Sequence, residues 1–240
     1  MSAPREDADV ETSSEGYARR FAGRVGRFFL ERQAEATLAL LRPFPGASVL
    51  DVGGGHGQVT GPLVEAGYDV TVLGSDASCE ARVREWTGPG RARFVTSDLL
   101  APSLPGRSFD VALSYRLLPH VSRWPDLVAA LCRLARRAVV VDYPTRRSVN
   151  AVADLFFGLK KGVEGNTRPF TVFSDAEVEE AFGGHGFAPT GRRPQFFFPM
   201  ALHRGLGSAG LARGLEGAAS ALGLTRALGS PVILRLERRG

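Results

Sequence analysis

The stretch Val49-Leu50-Asp51-Val52-Gly53-Gly54-Gly55-His56-Gly57 decides the fold. An apolar run with an acid near its end passes at once into a glycine-rich turn, and a helical pattern opens at about 57–66. Glycine is needed where the backbone takes a positive φ or comes close to a ligand, and a helix N-terminus adds free amide donors. Tight strand-to-helix turns use glycine for their own geometry, so the loop alone identifies no ligand. Its spacing still disfavours two common ones. A dinucleotide fingerprint wants Gly-x-Gly-x-x-Gly/Ala, whereas Gly53 and Gly55 are followed by Gln58, and Gly55 and Gly57 by Thr60. The Gly-Lys-Ser/Thr end of a nucleoside-triphosphate loop is absent. What stands there is Asp-x-Gly-x-Gly-x-Gly.

Outward from this loop, Ser48–Val52, Asp69–Leu73, Ala92–Thr96, Phe109–Ser114 and Ala138–Tyr143 are short apolar runs that read as fully buried parallel strands. Helices are predicted between them at about 57–66, 78–87 and 124–136. Phe187–Phe198 and Pro231–Leu236 read as two further strands. The alternation predicts a doubly wound α/β fold, a mostly parallel seven-stranded sheet with helices on both faces. Residues 1–15 are polar and read as a flexible tail, and residues 16–240 as a single domain. Helical cap segments are expected at about 16–42, 144–172 and 199–228. The first is a helix from Tyr17 to Leu41; the second holds a helix over Ser148–Lys161 and a connector, Gly162–Pro169; the third aligns Leu211, Leu215, Ala218 and Leu222. Ser174 with Glu177 forms a capping box that opens one more helix.

Composition narrows the function classes. With 44% hydrophobic and 23% charged residues among 240, wholesale disorder and fibrous structure are excluded. No apolar run reaches the ~18 residues of a membrane span. The first ten residues lack the apolar stretch of a signal peptide. Cys79 and Cys132 make neither a disulfide framework nor a metal cluster, so a reducing cytoplasm fits and no metal is assigned. The net charge of +5 comes from 28 arginines and two lysines, scattered in short pairs and not massed in one segment. Solvated faces explain them, and nucleic acid is not the expected partner.

Two acids stand at the carboxyl ends of neighbouring predicted strands: Asp76 after the second and Asp98 after the third. Open α/β sheets bind ligands at that edge. A nucleoside ligand without phosphates needs a carboxylate for its ribose diol and another for its exocyclic amine. Each acid taken alone has a plainer reading as a helix N-cap.

Together these segments resemble the class I S-adenosylmethionine-dependent methyltransferases, particularly the small-molecule branch of quinone-biosynthesis and natural-product enzymes. The likeness covers about residues 48–143 and implies a Rossmann-like fold. In that family the Asp51–Gly57 loop, with Gly53, Gly55 and Gly57, holds the methionine end of S-adenosylmethionine. Asp76 matches the acid that takes both ribose hydroxyls, with Ala77 beside it; Cys79 replaces the usual proline of Asp-x-Ser-Pro-Glu. Asp98 and Leu99 match the adenine site, and Ser114 closes the fourth strand. Tyr17 and Arg20 are expected to fold over the cofactor. The resemblance implies methyl transfer to a small, apolar or aromatic metabolite by in-line displacement, with S-adenosylhomocysteine as product. An RNA-modifying methyltransferase and a non-catalytic cofactor-binding protein remain as alternatives. Against base amino-methylation, Ser114-Tyr115-Arg116-Leu117 stands where an Asn/Asp-Pro-Pro-aromatic motif would follow the fourth strand.

A general base matters only if the nucleophile carries a proton at neutral pH. His120, in the loop after the fourth strand, is the candidate; a supporting role before the helix near 124 is its plainer reading. Arg116, Tyr143 and Arg168 are candidate substrate contacts. Asp142 either orients substrate or caps the turn at Pro144, and His56 is a loop donor. Nine of 15 phenylalanines fall between Phe156 and Phe198, where some could line an acceptor pocket and core packing explains most. A small-molecule acceptor is the expected partner, and a homodimer is left open.

Overall fold

The computed structural model of the chain describes residues 6–148 and 170–240. Seven strands, β1 (Ser48–Val52), β2 (Asp69–Gly74), β3 (Arg93–Thr96), β4 (Phe109–Ser114), β5 (Ala135–Tyr143), β6 (Phe187–Phe196) and β7 (Ser230–Arg238), form one sheet. Its order is β3-β2-β1-β4-β5-β7-β6. Neighbours among β1–β5 pair in parallel, while β7 lies antiparallel to both β5 and β6. The sheet is therefore mixed, with β7 alone running against the rest. The expectation that the first five strands are fully buried fails for β3, whose position at the sheet edge leaves Arg93 and Thr96 exposed.

The period of two along the strands builds two cores, one on each face. Leu50, Val52, Leu73, Val139 and Val141 face α6 (Trp124–Leu134) and α7 (Asp175–Gly183), meeting Leu127, Leu131, Val178 and Phe182. Val49, Val70, Val72, Val111 and Val140 face α3 (Gly23–Leu41) and α4 (Thr60–Glu65), meeting Leu40, Leu41 and Leu63. A helix on each face is what a doubly wound sheet requires to cover itself.

Before α3, the predicted helix from Tyr17 is interrupted. A separate α2 (Glu15–Arg19) ends in a turn in which Phe21 N–H donates to the Ala18 carbonyl, at 2.9 Å. The stretch expected as a flexible tail carries α1 (Ala8–Thr12), with Ala8 and Asp9 buried. Its amphipathic face was too short to be seen as a helix. The helix predicted at 78–87 divides into a 3₁₀ turn, Ala77–Arg82, and α5 (Arg84–Thr87).

Beyond β6 come α8 (Met200–Leu206), α9 (Ala209–Ala221) and α10 (Leu224–Leu228). They pack beside α3 through Val25, Phe28, Phe29, Phe196 and Ala212. On α9 the aligned Leu211, Leu215 and Leu222 are exposed, and the buried face is Ala212, Glu216 and Ala219. The helix predicted from Ser148 to Lys161 lies, after its first residue, outside the described residues, as does Gly162–Pro169. Among the described residues no helix is long and apolar enough to cross a membrane.

Candidate active site at the carboxyl edge of the sheet

The glycine loop turns sharply out of β1. Gly53 and Gly57 take φ of +74° and +70°, the left-handed region open to glycine at little cost. Between them Gly54, Gly55 and His56 form a 3₁₀ turn. Beneath it the Asp51 carboxylate is fully buried, and a Cβ at Gly54 would collide with it. Neither Asp51 oxygen has a hydrogen-bond partner, and burial pushes its pKa up to about 7. A desolvated, unpartnered carboxylate is a site for a cation such as an ammonium group. His56 lies alongside with Nδ1 accepting from Gln58 N–H at 3.1 Å. Burial, aided by the Arg116 charge, depresses its pKa to about 3, so the ring is neutral. The neutral ring with Nδ1 as acceptor puts its proton on Nε2, which has no partner among the described residues, so toward Gln58 the ring accepts where a donor was expected.

Asp76 and Asp98 lie at the ends of β2 and β3, Asp76 as the N-cap that the plainer reading foresaw and Asp98 in a turn that opens no helix. Asp76 caps the 3₁₀ turn, accepting from Ser78 N–H at 2.8 Å, and its side chain is exposed next to exposed Ala77. Asp98 accepts from Leu100 N–H at 2.9 Å, while Leu99 is packed into the core beneath. The carboxylate of Asp76 is exposed at the carboxyl edge of the sheet.

An interaction invisible in the motif lies between them. Asp9 of α1 is fully buried, with Oδ2 accepting from Ser75 N–H at 2.7 Å and Oδ1 from the Ser75 hydroxyl at 2.5 Å. Its Cβ approaches Gly53, and the Ser13 side chain sits against Gly55. Thus α1 lies across the glycine loop and the end of β2.

The loops after β4 and β5 are joined by Arg116. Its φ of +58° is rare outside glycine and marks a backbone held in place by its surroundings. Arg116 N–H donates to Asp142 Oδ1 at 2.7 Å, and its Nη2 donates to Gln33 Oε1 at 2.8 Å. Its guanidinium lies 5.3 Å from the Phe21 ring centre. Burial raises the Asp142 pKa, and the Arg116 charge works against that rise. Tyr17 is buried above this pair with its pKa raised by desolvation. Ser114 donates to the Val52 carbonyl at 3.0 Å, pinning β4 to the start of the glycine loop.

His120 is half-buried in a 3₁₀ turn, Leu118–His120, its ring 5.5 Å from that of Phe170. Thr171 N–H donates to the Pro119 carbonyl at 2.9 Å, so the chain returning after residue 169 runs beside the His120 loop. Tyr143 is fully buried, and its hydroxyl donates to Asp175 Oδ1 at 2.9 Å. That bond commits it to the core beneath α7. Arg168 lies outside the described residues.

The structure therefore brings Asp51, the glycines, Ser114, Arg116 and Tyr17 together, with Asp76 and Asp98 along the same edge. Asp9 and Gln33 are the members that motif spacing did not single out for the site; Asp142, named there as orienting substrate or capping the turn at Pro144, accepts from Arg116 N–H. Gln33 had one readable signal, a polar residue between Phe29 and Leu40 on the buried face of α3. A cleft of about 450 Å³, lined by Glu15, Phe21, His56, Gln58, Arg82 and Trp86 among others, opens beside the loop.

Comparison with known proteins gives the family. Residues 24–212 match a family model described as a methyltransferase domain. Over 123 residues the chain is 37% identical to a ubiquinone biosynthesis O-methyltransferase of Paramagnetospirillum magneticum, covering 48% of this chain and 47% of that protein. Over 172 residues it is 28% identical to the protein of that name from Sinorhizobium fredii, covering 67% of each. The chain thus spans about half the length of the first relative and about two thirds of the second. Its fold is similar to magnesium protoporphyrin IX methyltransferase of Synechocystis PCC 6803 with bound SAH. The TM-score is 0.66 at 17% identity, covering 96% of this chain and 98% of that one.

Proposed function

Because this chain belongs to the class I S-adenosylmethionine-dependent methyltransferase family, we propose that it methylates a small, apolar or aromatic metabolite by in-line displacement. When bound, S-adenosylmethionine supplies a methyl group made electrophilic by its sulfonium centre. The chain's own part is to hold and orient. Asp51 receives the ammonium of the methionine end, Asp76 the ribose diol and Asp98 the adenine amine. Arg116, fixed by Asp142 and Gln33, stiffens the wall between the loops after β4 and β5, where the acceptor enters. Collinear placement in a dry site contributes several kcal/mol to such a reaction. For a phenolic acceptor, His120 takes the hydroxyl proton as the oxygen–methyl bond forms.

The observation that carries this proposal is the buried, unpartnered carboxylate of Asp51 under the glycine loop. Calorimetric titration with S-adenosylhomocysteine, with NAD as control, tests it. We expect saturable binding of the first and none of the second. Asp51→Asn and Asp76→Ala should each weaken it by about 1–3 kcal/mol, since each strips a partner from a desolvated polar group. Unchanged affinity in both variants would remove the assignment. His120→Ala should lower turnover of a phenolic acceptor with cofactor affinity unchanged.

A further inference from the structure

Between the turn that joins α2 to α3 and the C-terminal end of α8 lies a second cleft, of about 410 Å³, lined by Arg19, Arg20, Arg24 and Arg204 with Val25 and Gly207 among the rest. Among the described residues no acidic side chain lines it. Among the described residues none of these four arginines forms an ion pair with a carboxylate, although ten other pairs are formed elsewhere. Like charges gathered without counter-charge repel, and the field of a concave wall strengthens that of its members.

The arginines are held there by more than chance. Arg204 Nη2 donates to the Arg20 carbonyl at 3.1 Å, tying α8 to the end of α2. The Arg204 guanidinium stands 5.8 Å from the centre of Phe29, and that of Arg20 5.2 Å from the centre of Tyr17. Both are steadied against aromatic faces. Arg116, at the carboxyl end of β4, joins the same field: partial burial, then the charges of Arg20 and Arg116, press the pKa of Arg204 down. The cleft shares Arg19 and Ala22 with the one that opens beside the glycine loop. Tyr17 carries the Arg20 guanidinium on its ring, and Phe21, 5.6 Å away between ring centres, carries that of Arg116.

We propose that this cleft binds an anionic group, a carboxylate or a phosphate, carried by the methyl acceptor. The assignment rests on the methyltransferase reading above. Guanidinium groups match both anions in paired hydrogen bonds. Its volume lies within the roughly 300–1,000 Å³ of small-ligand sites. The cofactor is a poor occupant: two positive groups and one carboxylate leave S-adenosylmethionine with a net positive charge. An acceptor with one anionic end and a nucleophilic ring would be tethered at the arginines and presented toward Arg116 and the glycine loop.

Three probes of similar size, benzoate, phenyl phosphate and neutral benzyl alcohol, titrated into the full chain with and without S-adenosylhomocysteine, test this. We expect saturable binding of the anions and none of the alcohol, with the tighter anion naming the group the acceptor carries. Arg24→Gln with Arg204→Gln should weaken anion binding at least tenfold and leave S-adenosylhomocysteine affinity unchanged. Arg42→Gln with Arg91→Gln, which removes the same charge elsewhere, should not. If the first double variant melts early, Arg24→Gln alone, at an exposed position, should still lower affinity severalfold. Equal binding of anions and alcohol, or anion binding that survives loss of the arginines, overturns the proposal. Arginine-dependent anion binding in a chain that binds no S-adenosylhomocysteine would overturn the acceptor assignment through its premise, leaving an anion site. Cofactor binding without anion binding would overturn the cleft alone.

Discussion

The Asp51 carboxylate lies beneath Gly54 with neither oxygen bonded, and its pKa is pushed up from 3.8 to about 7. Between those values the folded chain holds a proton that the unfolded chain has released, so this group's contribution to stability falls as pH rises toward 7. His56 has the opposite slope. Its folded pKa of about 3 lies below the ordinary 6.5, so its contribution is present above 6.5 and is lost as pH falls below it. The two slopes oppose each other in the wild type across mild acid, and a variant separates them. Asp51→Asn should gain stability over the wild type by several kcal/mol at pH 8 and much less at pH 5, read from denaturant midpoints. An equal difference at both pH values would show that Asp51 is not buried charged. The acid and glycines of this loop were legible in the sequence because one tight turn places them all. Asp9 and Gln33 were not picked out by spacing, and the tie of Asp142 to Arg116 was not foreseen, because the partners Ser75, Arg116 and again Arg116 lie 66, 83 and 26 residues away. Only the folded sheet brings those pairs together. Tyr143 shows the reverse error: its position at a strand end was right, but its side chain points to Asp175.

Among the elements, those whose signal is local were read well. The Ser174 capping box is present in both directions, with Ser174 Oγ accepting from Glu177 N–H and Glu177 accepting from Ser174 N–H. The strands were read from short continuous apolar runs, the pattern of a sheet covered on both faces. On α9 the apolar positions misled, because the helix is anchored by a charge. Glu216 is buried, accepting from Phe197 and Phe198 N–H at 2.9 and 3.0 Å and meeting His203 Nε2 at 2.8 Å. It ties α9 to α8 and to the end of β6, turning Ala212 and Ala219 inward and leaving the leucines outside. Glu216→Ala strands two buried amides and the ring, and should cost about 2–5 kcal/mol. The replacements Leu211→Ser and Leu222→Ser, on the exposed face, should each stay within about 0.5 kcal/mol. Denaturant unfolding of the three variants checks both statements.

At the scale of the whole molecule, α1 closes over the edge that the fold assigns to ligands, with Asp9 gripping Ser75. A cofactor entering between the glycine loop and the end of β2 must first displace α1. Asp9→Ala should therefore lower the stability of the ligand-free chain by about 1–3 kcal/mol and speed S-adenosylhomocysteine association in stopped-flow mixing. An unchanged association rate would mean that α1 stands clear of the entry path. The doubly wound sheet was legible from its alternation, whereas the direction and place of β7 were not, since strand order leaves no trace in local pattern. That order also shapes how the chain is made. β6 precedes β7 along the chain, yet β7 lies between β5 and β6 and, among the described residues, supplies the only sheet neighbour β6 has. On a translating ribosome, β5 and β6 must therefore wait with bare edges until Ser230–Arg238 emerges. For that interval the nascent chain offers neighbouring polypeptides two ready templates for strand addition, and a chaperone is needed most between those two moments of synthesis.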